Sequence, residues 1–187
     1  MITVQCSFKY AERMKGVFKK GEYIVYGTTG VCQVMDITTM ERKDAPQEKL
    51  YYVLEPAGSP GGKILTPVEE NKNPMRRIVT REEADQLIGE IRNVKDLQIS
   101  DEKQREAKYK EALKSCDCKA WVGIIKTLYR RKKDRMVHGK RLTEVDERYF
   151  RKAKENLYRE LAIPLGITAE EVEGYIISRI EPEMNRN

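Results

Sequence analysis

The chain has 187 residues, 40% hydrophobic and 35% charged, with a formal net charge of +6. That length suits one mid-sized domain or two small ones, and the apolar share is too high for a disordered chain. No apolar run nears the roughly 18 residues that cross a bilayer, no secretory signal is recognisable, and four scattered cysteines cannot frame a disulfide scaffold. A soluble, cytoplasmic protein with reduced thiols is expected, with no membrane partner.

Residues 1–13 read as an N-terminal extension, because strand-like pattern begins only after Met14. From Glu22 to Val79 the signals are those of small β structure. An aromatic and β-branched run at 23–26 ends in the turn cluster 27–30, residues 31–39 alternate loosely, and 51–54 (YYVL) is a strand by composition. The polar stretch 41–48, with Pro46, reads as a hairpin loop, and 58–62 (GSPGG) as a tight turn. Short strands at 63–67 and 76–79 complete a set of about five.

The pattern changes at residue 80. Thr80, Arg81, Glu82 and Glu83 form a capping box, followed by Ala84, Leu87, Ile88 and Ile91 at helical spacing. A second helix is expected from about Ser100 to Lys114, with Ala107, Leu113 and the ring of Tyr109 available for packing. Asp117 caps a third, with Trp121, Ile124, Ile125 and Leu128 on one stripe, which runs into the basic segment 130–133. Gly139 breaks the chain. Thr143 caps a fourth helix through Val145, Phe150, Ala153, Leu157 and Leu161, ended by Pro164 and Gly166. A capping box at 168–171 opens the last, with Val172, Tyr175, Ile176 and Ile180. The expected class is α+β: a small bent β-sheet or barrel over 14–80, then an all-α bundle of about five helices over 81–187.

Charge is concentrated. Residues 103–160 carry 19 Lys/Arg against 9 Asp/Glu, a net +10, while 81–102 and 161–187 are acidic. A dense positive field attracts phosphates and releases their counterions, so nucleic acid is the first partner to consider. The alternative is a solvated, lysine-rich helical surface. Few Asn or Gln lie among the cations, which points to contact with the nucleic-acid backbone more than to base readout.

Nothing in the chain assembles a catalytic constellation. There is no Ser/His/Asp set, no Gly-rich phosphate loop before a helix and no carboxylate pair with a partner base, so neither an enzyme nor a small-molecule substrate is expected. Cys116 and Cys118 invite a zinc reading, but a structural site wants four Cys/His ligands and the one histidine is His138. No metal or cofactor is expected. Trp121 lies on an apolar stripe and reads as core rather than as a base-stacking residue.

Several strings occur in order along the chain: FKKGEYIVYGTTGV (18–31), LYYVL (50–54) and ILTP (64–67), then YKEALKSCD (109–117) and IIKTLYRRKK (124–133). GKRLT (139–143), DERYF (146–150), LYRELA (157–162) and LGI (165–167) follow. Together they resemble the CarD/CdnL family of bacterial transcription regulators, over about residues 15–180. The resemblance implies an N-terminal Tudor-like domain that binds the RNA polymerase β subunit. It also implies a helical domain lying on promoter DNA, by backbone and minor groove, at the upstream edge of the transcription bubble. Such a protein stabilises the open complex, is no enzyme, and is found on the nucleoid.

Carried onto this chain, the resemblance points to Ile37, Thr39 and Met40, with Leu65, for the polymerase surface. Met40 and Leu65 stand where the family often has arginine, which implies a more apolar contact. Arg148 and Lys152 are carried over for DNA, and Arg105, Lys108, Lys140 and Arg141 join them from charge and location. Family members often place a tryptophan wedge near the start of the second helix. Here Gln98 matches that position, and Ile99 is the aliphatic alternative. Two other readings remain at this point: a nucleic-acid module independent of polymerase, and a repair-associated adaptor.

Overall fold

The computed structural model describes residues 18–40, 49–69, 73–99 and 101–180, with the side chain of Met40 outside that set. The expected extension 1–13, the loop 41–48 and Ser100 lie outside the described residues. The five β-rich runs become strands β1 (Tyr23–Tyr26), β2 (Gly30–Met40), β3 (Lys49–Pro56), β4 (Ile64–Pro67) and β5 (Met75–Arg77). They pair antiparallel in the order β4-β3-β2-β1-β5.

The loose alternation of β2 has a structural cause. Val34 pairs with Leu54 but Asp36 pairs with Val53, so Met35 is an extra, bulged residue. Because side chains alternate with period two, the bulge shifts every later β2 residue to the opposite face from a regular strand. Val34 and Ile37 therefore both serve the inner face. That face gathers Ile24, Tyr26, Cys32, Val34, Tyr52 and Leu54 into a core of its own. The hydroxyls of Tyr26 and Thr66 meet at 3.1 Å inside it, so neither polar group is stranded.

The sheet is followed by helices α1 (Arg81–Glu90), α2 (Arg105–Lys114), α3 (Cys118–Val137), α4 (Glu144–Leu165) and α5 (Val172–Ile180). The capping box forms as expected: Thr80 Oγ1 accepts from Glu83 N at 3.2 Å, and Glu83 Oε2 accepts from Thr80 N at 2.8 Å. α2 starts later than its pattern suggests, because Asp101 caps a separate 3-10 turn over Glu102–Gln104. Pro164 does not end α4. Its fixed φ is helical and it forfeits one hydrogen bond near the C-terminus, so the helix continues to Leu165. Gly166, at φ 69°, then makes the left-handed cap.

Trp121 is the centre of the helical core, fully buried among Leu113, Ile124, Leu128, Leu157 and Leu161. Its Nε1 donates to Leu113 O at 3.3 Å. Truncating such a ring to alanine costs about 3–5 kcal/mol, so the core reading of Trp121 is energetically sensible. Among the described residues no helix is long and apolar enough to cross a membrane.

The sheet and the helices join along a polar seam. Val25, on the outer face of β1, enters the helical core, and its partner on β5 is Arg76. One side of α4 meets them with Lys152, Asn156 and Glu160. Lys152 Nζ donates to Thr29 O at 3.3 Å. The Asn156 amide presses on Gly30, where a Cβ would come within 2.5 Å of Oδ1; at φ 90° that position also favours glycine. Glu160, with no exposed surface, receives both arms of Arg76: Nη2 donates to Oε2 at 2.9 Å, and Nη1 donates to Oε1. Val79 N adds a third donor at 3.0 Å, and Arg76 Nε donates to Cys116 O. Burial pulls the guanidinium pKa down, but the hydrogen bond and charge of Glu160 outweigh it and leave it raised.

Breaking this pair leaves a half-buried guanidinium uncompensated. Glu160→Ala is expected to lose about 3–5 kcal/mol in urea unfolding. Thr80→Ala, which removes only a cap, should lose about 1 kcal/mol.

Candidate functional site

The basic segment folds into α2, α3 and most of α4, and a large share of its charge is used inside the molecule. Asp146, in the first turn of α4, is fully buried. Arg131 Nε donates to its Oδ2 at 3.0 Å. Arg105 Nε sits 3.2 Å from Oδ1 as an ion pair, without hydrogen-bond alignment. Glu102, in the 3-10 turn, accepts from Arg131 Nη1 and Nη2 at 2.6 and 2.9 Å and from Arg105 Nη1 at 2.6 Å. Hydrogen bonds from Arg131 and then Arg105 hold the Glu102 carboxyl down at about 2. Beside this cluster the Tyr109 hydroxyl is buried with no hydrogen-bond partner, and burial pushes it up to about 12.

This cluster sorts the six candidate DNA cations. Arg105 is turned inward, its side chain only 18% exposed. Lys108 is exposed and pairs with Glu111 at 3.1 Å. Arg148 Nη2 meets Glu106 Oε1 at 2.6 Å and its guanidinium lies over the Tyr149 ring at 5.2 Å. Lys152 belongs to the seam, and burial lowers its pKa. Lys140 and Arg141 are exposed after α3, with no side-chain partner among the described residues. Arg148 and Lys152 come together in a cleft of about 850 Å3 that also takes Lys110 and Arg151, with Glu106 and Glu155 as the opposing charges. Lys140 and Arg141 are not part of its lining. Gln98 is exposed in the loop after α1, its Nε2 3.5 Å from Asp96 O, whereas Ile99 packs partly buried against the helical core.

The candidate polymerase residues fall on two faces of the sheet. Ile37 pairs with Tyr52 and Thr39 with Leu50, so both belong to the inner face, where Ile37 packs on the small core. Leu65 pairs with Val53, which pairs with Asp36, and these form the outer face. Leu65 is 50% exposed, and the bulged Met35 is exposed as well. The side chain of Met40 lies outside the described residues. Met35 escaped the sequence reading, because only the bulge turns it to the outer face, where it joins Val53 of β3.

The thiols are structural in setting. Cys32, Cys116 and Cys118 are buried and free. Burial pushes Cys32 up to about 11 and raises Cys118 too, where the charge of Glu160 adds to it. Cys116 Sγ lies 3.6 and 3.5 Å from the carbonyls of Gly27 and Pro74, and Cys118 Sγ lies 3.2 Å from Glu160 Oε2. Among the described residues no group of three or more His, Cys, Asp or Glu could hold a metal ion.

Residues 18–79 match the family model of the CarD-like/TRCF RID domain, and residues 86–177 match that of the CarD C-terminal domain. The chain belongs to the CarD family. No curated protein matches it. CarD-family domains are interaction domains, and they mark this chain as a transcription-related protein that interacts with RNA polymerase. Of the seam pair in this CarD-family chain, Arg76 falls in the first matched segment and Glu160 in the second.

The acid limb of stability follows from Glu102. Its carboxyl falls from 4.5 to about 2 on folding, so it stabilises the fold above about pH 4.5 and loses that contribution as pH drops toward 2. Glu102→Gln is expected to lower the melting temperature at pH 7. The gap from wild type should then close as melts are repeated toward pH 2.

Proposed function

We propose that this protein binds the RNA polymerase β subunit through its N-terminal sheet, over residues 14–80. The helical part, 81–187, then lies on promoter DNA at the upstream edge of the bubble and stabilises the open complex. The observation that carries this reading is the division of surface character. The +10 segment is confined to the helices, while the outer face of the sheet carries the apolar Met35, Val53 and Leu65, with Asp36 as the charge among them. A polyanion and a protein surface are thus suited to different parts of one molecule.

The mechanism needs no catalytic chemistry. A polymerase tether raises the local concentration of a weak DNA binder, so a few phosphate contacts suffice. The helical part shifts the closed–open equilibrium only by its differential affinity for the distorted duplex. Lys140 and Arg141, unopposed by carboxylates, are the cations best suited to phosphate, and Arg148, paired with Glu106, stands with Lys110 and Arg151 in the cleft. Arg105 acts instead by holding the helical part in shape, and Lys152 by joining it to the sheet at Thr29. For polymerase, Leu65 on the outer face is the favoured anchor, and Ile37 and Thr39 support the sheet beneath it.

The lifetime of the open complex of the host polymerase on one promoter tests this. The protein should lengthen it, and Arg148→Glu combined with Lys140→Glu should abolish the lengthening while polymerase binding persists. Leu65→Asp should do the converse, losing polymerase binding with unchanged affinity for bare DNA. An unchanged lifetime with polymerase-bound wild-type protein would sink the proposal.

A further inference from the structure

Lys152 differs in its setting from the paired lysines of the chain. It is partly exposed in the cleft where α2 and α4 face the turn at Thr28. Lys20, Lys108, Lys119 and Lys154 each pair with a carboxylate, which favours the ammonium form and so ties up the nitrogen lone pair. Lys126 is enclosed by three backbone carbonyls. The partner of Lys152 Nζ is a single neutral one, Thr29 O at 3.3 Å, which a free amine can still meet by donating one N–H. Burial lowers its pKa against the charge of Glu155, and Arg159 lowers it further. A desolvated lysine among other cations is the setting in which an amine becomes a nucleophile.

The cleft supplies the other half of a reaction site. Its volume of about 850 Å3 holds four cations, Lys110, Arg148, Arg151 and Lys152, against the carboxylates of Glu106 and Glu155, a net +2. Both carboxylates are engaged: Arg148 Nη2 lies 2.6 Å from Glu106, and Arg159 Nη1 lies 3.7 Å from Glu155. Lys110 and Arg151 are exposed and have no side-chain partner among the described residues. They suit a small phosphate dianion, which would share the cleft with the Lys152 nitrogen. An acyl group carried on that phosphate is brought to the nucleophile, and holding the two together replaces a bimolecular encounter.

We propose that Lys152 is an acylation site for small acyl phosphates: Lys110 and Arg151 hold the phosphate, and Lys152 Nζ attacks the acyl carbon. The ammonium first releases one proton to solvent. The nitrogen lone pair then forms the N–C bond while the C–O bond to phosphate breaks, and phosphate leaves with that electron pair. Phosphate also takes the proton that the nitrogen sheds, so amine and acyl phosphate become amide and hydrogen phosphate. The product amide is neutral. It keeps one N–H for Thr29 O, and the charge of the cleft falls from +2 to +1. The assignment stands apart from the reading that the helical part lies on DNA, and either can fail alone.

The test incubates the full chain with acetyl phosphate at about pH 8, where an ordinary lysine is mostly protonated, and follows each lysine by peptide mass spectrometry. Lys152 should label about tenfold faster than Lys132 and Lys140, which are exposed and unpaired among the described residues. Excess inorganic phosphate should slow Lys152 and leave those two unchanged. Lys110→Gln combined with Arg151→Gln, both at exposed sites, should bring Lys152 down to the rate of Lys132. The N-hydroxysuccinimide ester of acetate carries no phosphate, and it should label Lys152 nearly equally in wild type and in that variant.

Labelling of Lys152 by acetyl phosphate no faster than that of Lys132 and Lys140 would overturn the proposal. So would fast labelling that survives the double glutamine variant, since a reactive lysine without a phosphate site would then remain. A variant that loses labelling by both donors would show that the two cations act on the lysine and not on the donor, which overturns the site as well.

Discussion

The pairing of Arg76 with Glu160 fixes how the two halves of the molecule sit on each other. Glu160 is fully buried, and it accepts both arms of one guanidinium and a backbone N–H. A bidentate pair of this kind is directional in a way that apolar contact is not, because two parallel hydrogen bonds tolerate little rotation. The surrounding contacts share that character. Arg76 Nε reaches Cys116 O and Lys152 reaches Thr29 O, whereas the Asn156 amide packs on Gly30 with no hydrogen-bond partner among the described residues. Among the described residues, Val25 is the one buried strand residue that joins the helical core. Such a pair adds little net stability, since desolvating two charges offsets most of their attraction. Its consequence is orientation.

The second ionic assembly, Asp146 with Arg131, Arg105 and Glu102, has a different role. It ties the 3-10 turn, α2, α3 and α4 at one point, and it withdraws two arginines from the surface. A charge count overstates the field that a partner would meet. Of the candidate DNA cations, Arg105 is enclosed, Lys152 is part of the seam, and Lys108 and Arg148 face carboxylates, which leaves Lys140 and Arg141 unopposed. Positive charge without a nearby carboxylate is what counterion release acts on, so the position of the free cations matters more than their number.

The secondary structure was largely legible because its signals are local. The Thr80 capping box, the Trp121, Ile124 and Leu128 stripe and the turn after Gly27 each need only a few neighbouring residues to be read. The bulge at Met35 showed only as weak alternation, since its pairing partner lies about twenty residues away. Arg76 and Glu160 are 84 positions apart, and no periodicity links them. Of the two stop signals at the end of α4, Gly166 holds as the cap and Pro164 does not stop the helix, because proline's fixed φ suits the last helical turn. The candidate site was less legible still. Arg105 and Arg141 look alike in a sequence, and only the buried Asp146 carboxylate separates the one that is spent from the one that is free.

On the proposed reading, a polar seam serves a two-partner protein better than an apolar one would. A tether raises effective concentration only if the tethered surface can reach its target, and the gain disappears when geometry forbids simultaneous contact. Ordinary interdomain contacts permit relative motion, and a freely pivoting helical part would lose part of its DNA contact free energy in becoming ordered. An orientation locked by Arg76 and Glu160 incurs that cost during folding, before either partner arrives. Polymerase binding at the sheet then delivers the helices to DNA in one pose. Two modest interfaces on a rigid frame can therefore act together where either alone would be weak.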